Sequence, residues 1–258
     1  MTDTTTSGGA NSGTANSGTA NSGGANSDGA GLSVALPAFA VPAFAVSEFA
    51  VSEFASSDFV FATLQYESGD WDSAPLVPAN LIDTLARYTT LKVAPSGVVV
   101  AASSEALLRH PFAYMTGHLP VRFTEAERRN LRAWIDRGGF LFVDDHNHDV
   151  DGMFHKTCTE ELSRALGPLV QLPNEHALYR AFFEFKDGPP TTSHELNGWG
   201  DNLVHRHLFG ILRGERVAVL YSNKDYSSEW GYHPDNKRFQ SVDNTRFAVN
   251  VVTYALTR

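Results

Sequence analysis

The segment FLFVDD at 140–145 constrains the fold most. It is apolar at every position until two aspartates close it. Six residues are too few for a buried helix, so the run predicts a strand that is apolar on both faces and covered on both sides. The residues before it predict a helix. In TEAERRNLRAWIDRGG (124–139), Thr124 is a side-chain cap, Glu127 completes a capping box and Gly138 ends the helix. A capped helix running into a two-sided strand is half of a parallel crossover unit.

The same alternation recurs from residue 58 onward. FVFATLQY (59–66), PFAYMTGH (111–118) and RVAVLYS (216–222) predict buried strands, and 91–102 predicts an extended stretch broken by Pro95–Gly97. Helices are predicted at 78–89, 103–110, 156–167 and 243–256, with apolar residues at helical spacing in the first and last. Residues 168–215 are rich in Pro and Gly and predict an irregular excursion with one hairpin-like piece. The expected architecture is an α/β fold: a three-layer, open, mainly parallel sheet of Rossmann-like type over 58–258.

Residues 1–57 are different. Asn recurs every five residues at 11, 16, 21 and 26, and Phe at 39, 44, 49, 54 and 59. The Gly/Ser/Asn/Thr units bury too little apolar surface to offset chain entropy and predict a disordered tail. The Phe units predict a linker, or a segment that docks on the domain or a neighbouring chain. No positive region precedes an apolar run, so a secretory signal is not expected and the location expected is cytoplasmic. The single Cys158 fits a reducing compartment or a packed core thiol.

Charge narrows the partners. Residues 1–86 contain no Lys or Arg and carry nine of the 29 acids; the remainder balances 20 acids against 20 bases. No basic face is available for a phosphate backbone, so nucleic acid is not an expected partner. No run of 18 apolar residues exists to span a membrane. A small molecule or a protein segment is the expected partner; oligomeric state is not readable.

In open parallel sheets ligands bind beyond the carboxyl ends of the strands. Each predicted strand ends in polar residues: Tyr66, Glu67, Asp70 and Trp71; Gly117 and His118; Asp144, Asp145, His146 and His148; Ser222, Asp225 and Trp230. A parallel sheet brings these four connections to one rim. The stretch DDHNHDVDGMFH (144–155) offers imidazoles and hard oxygens, a set suited to a divalent metal such as Zn, Fe or Mn. His118, Asp145, His146 and His148 are the candidate ligands. The segment also reads as a ligand-contacting loop, or as a polar loop whose Asp and Asn side chains hold turns. Trp71 and Trp230 would suit a flat ligand, although packing is the commoner role. His205 and His207, set among apolar residues, read as structural.

A nucleophile on the turn after the central strand would need Ser or Cys between glycines, and DDHNH has neither. Asp144 and Asp145 are adjacent on a strand, so they point to opposite faces and cannot form a close pair with each other. Asp70, Asp145 and Asp225 are the candidate acid/base residues. No Gly-rich dinucleotide or P-loop motif follows a strand.

The spans LQYESGDWDSAP, PFAYMTGH, FTEAERRNLRAWIDRGGFLFVDD, AVLYSNKDYSSEW and NVVTYALT, in this order, resemble the bacterial domain-of-unknown-function family numbered 4159. The resemblance covers about 58–258. It implies a fold similar to the class I glutamine amidotransferase-like, flavodoxin-type domains without their nucleophilic cysteine. It carries over Tyr66, Gly69, Asp70, Trp71, Gly117, His118, Asp144, Asp145, Ser222 and Asp225. The His-rich loop and the repeat tail depart from the family pattern. Two functions are consistent with these residues: a non-catalytic ligand-binding or assembly module using the strand-end pocket, or a metal-dependent hydrolase centred on the loop 144–155.

Overall fold

The computed structural model describes residues 58–231 and 241–258. The repeat arrays at 1–57, with the disorder, linker and docking roles expected of them, lie outside the described residues.

The strands are β1 (Ala62–Gln65), β2 (Val98–Ala101), β3 (Phe112–Gly117), β4 (Phe140–Asp145), β5 (Val170–Gln171), β6 (Phe209–Arg213) and β7 (Arg216–Ser222). They form one sheet in the order β2-β1-β3-β4-β7-β6-β5. The first five in that order run parallel, and β6 runs antiparallel to both its neighbours. Helices α1 (Val77–Tyr88), α5 (Tyr226–Gly231) and α6 (Ser241–Thr257) pack with one core, and α2 (Glu125–Asp136) and α3 (Met153–Leu166) with the other. The short α4 (Ser193–Asn197) lies in the excursion before β6.

All six residues of β3 and of β4 are buried, as two-sided apolar strands require. Alternation sorts them: Phe112, Tyr114, Phe140 and Phe142 enter the core under α1 and α6, while Ala113, Met115, Leu141 and Val143 enter the core under α2 and α3. Register sets Phe112 against Phe140 and Tyr114 against Phe142, and both ring pairs stack at about 6 Å. Each such buried side chain contributes roughly 1.5–3 kcal/mol. The α2 cap forms in both directions, with Thr124 Oγ1 accepting from Glu127 N at 3.2 Å and Glu127 Oε2 accepting from Thr124 N at 2.7 Å. Glu127 Oε1 also accepts from Glu67 N, which ties the helix start to the connection after β1.

The structure sharpens three expectations. Helix α3 begins at Met153 rather than 156, because Gly152 serves as its N-cap after a turn closed by Asp149. The polar connection expected after β7 is helix α5. Its Trp230 takes the commoner, packing role: it is buried, stacks on Tyr226 at 5.3 Å, and donates Nε1–H to Asn244 O. The hairpin lies at the end of the excursion, where β6 turns into β7 through Gly214 in the left-handed region. No helix among the described residues is long and apolar enough to cross a membrane.

Candidate functional site

Strands β1, β3, β4 and β7 point the same way, so their carboxyl ends share one rim. Strand order reverses between β1 and β3, since β2 lies on the far side of β1. Such a reversal opens a crevice where the two connections diverge. Asp70, after β1, and His118, after β3, meet there. The Asp70 carboxylate accepts from the backbone N–H of His118 at 2.9 Å and of Leu119 at 3.0 Å, and contacts His118 Nδ1 at 2.8 Å. Burial pushes this carboxyl up, but those donors outweigh it and hold it below its ordinary value. Gly117 makes the approach possible. A Cβ there would meet Tyr66 and lie 2.8 Å from Asp70 Oδ1.

His118 stacks on His146, the first residue after β4, with ring centroids 4.3 Å apart. His146 Nδ1 faces Ser73 Oγ at 3.4 Å, and its Nε2 faces Ser228 Oγ at 3.2 Å and Asp225 Oδ1 at 3.6 Å. Burial draws the His146 pKa down, against the pull of the Asp225 charge. Asp225 also pairs with Nδ1 of His194, from α4, and that hydrogen bond raises the His194 pKa. Beyond it, His194 stacks on the exposed Trp199. The rim is therefore one continuous row: Asp70, His118, His146, Asp225, His194, Trp199.

Beneath the row lie buried acids. Asp144 and Asp145 point to opposite faces, as strand alternation requires. Asp144 Oδ2 accepts from Ser227 N and Oγ under α5. Asp145 Oδ1 accepts from Asn147 N. Burial raises Asp144 to about 8, with the Asp225 charge second. Burial also raises Asp145, to about 7, opposed by backbone donors of its own loop. Ser222 Oγ accepts from Lys224 N, and Lys224 Nζ is buried against Glu195 at 2.6 and 2.7 Å.

Of the residues singled out from sequence, Glu67, Asp70, Trp71 and His118 reach solvent, while Tyr66, Gly117, Asp144, Asp145, Ser222 and Asp225 are buried. Tyr66 donates its hydroxyl to Thr116 O and packs in the core. Of the three candidate acid/base residues, only Asp70 touches solvent. The four candidate metal ligands are not gathered together: Asp145 is buried beneath the row, where it accepts from Asn147 N. His118 and His146 stack at the rim. His148 is fully buried and faces Asn223 O at 2.6 Å and Leu203 O at 3.0 Å. Its ligating atom gathers with those of Asp201 and His205 within 4.8 Å. His205, expected to be structural, thus stands beside a buried imidazole and a carboxylate. Cys158 is buried in α3, and burial raises its thiol pKa well above the ordinary value.

Sequence reading missed His194, Trp199, Asp201 and the Lys224–Glu195 pair. One signal was present: TSHE at 192–195 is a capping box, and both of its hydrogen bonds form. It marks α4, which carries His194 and Glu195. Asp201 and Trp199 lie on irregular backbone with no such mark.

Residues 60–256 match a family described as Domain of unknown function (DUF4159). No curated protein matches the chain.

Proposed function

Because the chain belongs to the DUF4159 family, whose description carries no activity, we propose a function from the rim itself: residues 58–258 bind a small polar ligand at the switch point, without covalent chemistry. The carrying observation is the continuous row from Asp70 to Trp199, assembled from four parallel strand ends and the α4 segment. The row holds two carboxylates, each facing an imidazole, and no Lys or Arg, so it offers an anion no fixed positive charge. That favours a neutral ligand rich in hydrogen-bonding groups over an anion. Trp199, 63% exposed and stacked on His194, adds an apolar face at one end.

We read the fold as the amidotransferase-like variant lacking its nucleophile. In support, β4 runs directly into Asp144, Asp145 and His146, and Cys158 is buried elsewhere. Ser228 does contact His146 Nε2, but Asp225 lies on the same side and Nδ1 faces Ser73 rather than a carboxylate. A serine relay needs the carboxylate on the opposite nitrogen.

One observation favours a second reading. Asp70 engages His118 Nδ1, which directs the other ring nitrogen away from it as an acceptor on a half-exposed side chain. That is the geometry of an oriented general base, suited to hydrolysis.

NMR with labelled histidine separates the readings. Binding of monosaccharides or nucleosides is expected to shift the rings of His118, His146 and His194 together, with no turnover of ester or phosphoester substrates. Shifts confined to residues remote from the rim would refute the first reading. Turnover lost in His118→Ala would favour the second.

A further inference from the structure

We propose a divalent-metal site, of zinc type, formed by His148, Asp201 and His205, which pins the excursion before β6 to the connection after β4. It is separate from the rim and independent of the ligand reading above.

The donor set is two imidazoles and one carboxylate, a ligand set that zinc accepts. The spacing fits. Zinc bonds of about 2.0–2.1 Å in a tetrahedron put neighbouring ligand atoms roughly 3.3 Å apart. His148 Nε2 lies 3.5 Å from Asp201 Oδ1, and His205 Nε2 lies 2.9 Å from Asp201 Oδ2. The two rings stand nearly perpendicular, at 81°.

The surroundings of His148 give an independent reason. The side chain is fully buried, and both ring nitrogens face oxygen acceptors: Nδ1 faces Asn223 O and Nε2 faces Leu203 O. A neutral imidazole has one N–H. If Nδ1 donates to Asn223 O at 2.6 Å, the Nε2 lone pair points at the Leu203 carbonyl and at Asp201. Ligating histidines usually donate their second nitrogen to a carbonyl or carboxylate in this way. A cation among Nε2, Asp201 and His205 would take the place of the His205–Asp201 hydrogen bond and engage the unshared Nε2 of His148, with Leu203 O beside them.

The carboxylate is held in place before any ion arrives. Asp201 Oδ1 accepts from Leu203 N at 2.9 Å, and Oδ2 accepts from Val150 N at 3.2 Å. The two connections are locked by Asp201 N donating to His148 O at 2.9 Å. Gly200 permits that contact: its φ is +61°, and a Cβ would strike His148 O. His148 itself has a φ of 51°, a left-handed conformation that is strained for a non-glycine residue and that the surrounding contacts must hold.

The test uses the full chain without a histidine tag, stripped with chelator and titrated with Zn²⁺ against a chromophoric competitor. One equivalent per chain is expected, with a rise in Tm on zinc addition. His205→Asn and Asp201→Asn should each weaken binding at least about tenfold and abolish the rise in Tm. His207→Ala, whose ring contacts Asn174, should bind as wild type. His205→Asn decides the matter if Asp201→Asn fails to fold by circular dichroism. No uptake by the wild type, uptake unchanged in His205→Asn, or uptake lost in His118→Ala but retained in His205→Asn would each overturn the proposal.

Discussion

The buried Lys224–Glu195 pair offers the most quantitative test of how the excursion is held. Both side chains are fully buried. Lys224 Nζ contacts both Glu195 oxygens and His205 O at 2.6–2.7 Å. Glu195 also accepts from Thr192 N at 2.8 Å and from His205 N at 2.7 Å. Removing one partner of such a pair costs about 3–5 kcal/mol, because the other charge remains buried. The contacts rank the two variants. Lys224→Met leaves a carboxylate that still receives two N–H donors, which puts it at the low end, about 3 kcal/mol. Glu195→Leu leaves an ammonium with one carbonyl and strips two buried N–H groups of their acceptor, which puts it at or above about 5 kcal/mol. For a domain of this size the low end corresponds to a Tm loss of about 6–12 °C. The double variant removes both charges and should lose less than the two single losses combined, with a coupling of about 2–3 kcal/mol. Denaturant unfolding of all four proteins measures this. Single losses that add to within about 0.5 kcal/mol, or a smaller loss for Glu195→Leu than for Lys224→Met, would refute the reasoning.

The buried acids predict a pH dependence. The folded carboxyls of Asp144 and Asp145 are raised to about 8 and about 7 from 3.8, so the folded protein keeps protons that the unfolded chain has released. Their contribution to stability therefore falls as pH rises from about 4 to about 8, by up to about 1.4 kcal/mol per pH unit per group. Histidines with lowered pKa values, His146 among them, act in the opposite direction near pH 6, so the comparison is with Asp145→Asn. The variant should gain on the wild type between pH 5 and 8, and parallel profiles in denaturant titrations would contradict the assignment. Cys158, buried with a raised thiol pKa, should react with a disulfide reagent only in denaturant; stoichiometric labelling of the native protein would show that α3 opens. Gly117→Ala forces a Cβ against Tyr66 and Asp70 and should cost about 1–3 kcal/mol. It should also shift the His118 ring resonances, and an unchanged spectrum would mean that Gly117 does not set the Asp70–His118 approach.

The parallel half of the sheet was legible because its signals are local. Two-sided apolar runs at 112–117 and 140–145, and the Thr124–Glu127 box, each fix a residue range without tertiary information. Placing Asp70, His118, His146 and Asp225 at one rim followed from parallelism alone. The excursion was not legible, because Asp201 and Trp199 sit on backbone whose course is set by distant partners: His148 O, Val150 N and the Lys224–Glu195 pair. The two-apart spacing of His146 and His148 did not show that their rings take different partners, for a related reason. Spacing suggests a shared ligand only on extended backbone. Here His148 adopts a left-handed conformation that turns its ring inward, to Asn223 and Leu203, and away from His146.

Two of the three non-glycine residues with positive φ among the described residues, His148 and Asp225, close the connections after β4 and β7. Both are fully buried, and neither conformation is favoured by its own side chain sterics, so each costs of order 1 kcal/mol or more. The adjacent strands β4 and β7, fully buried along nearly their whole length, are rigid enough to hold them. The result is a division of work. Asp225 turns its carboxylate toward His146 and His194 at the rim, and His148 turns its ring toward Asp201 and His205 behind it. Relieving either φ with glycine should therefore separate the two sites. Asp225→Gly should disturb His146 and His194 while sparing zinc uptake. His148→Gly should abolish uptake, with the His118–His146 stack retained.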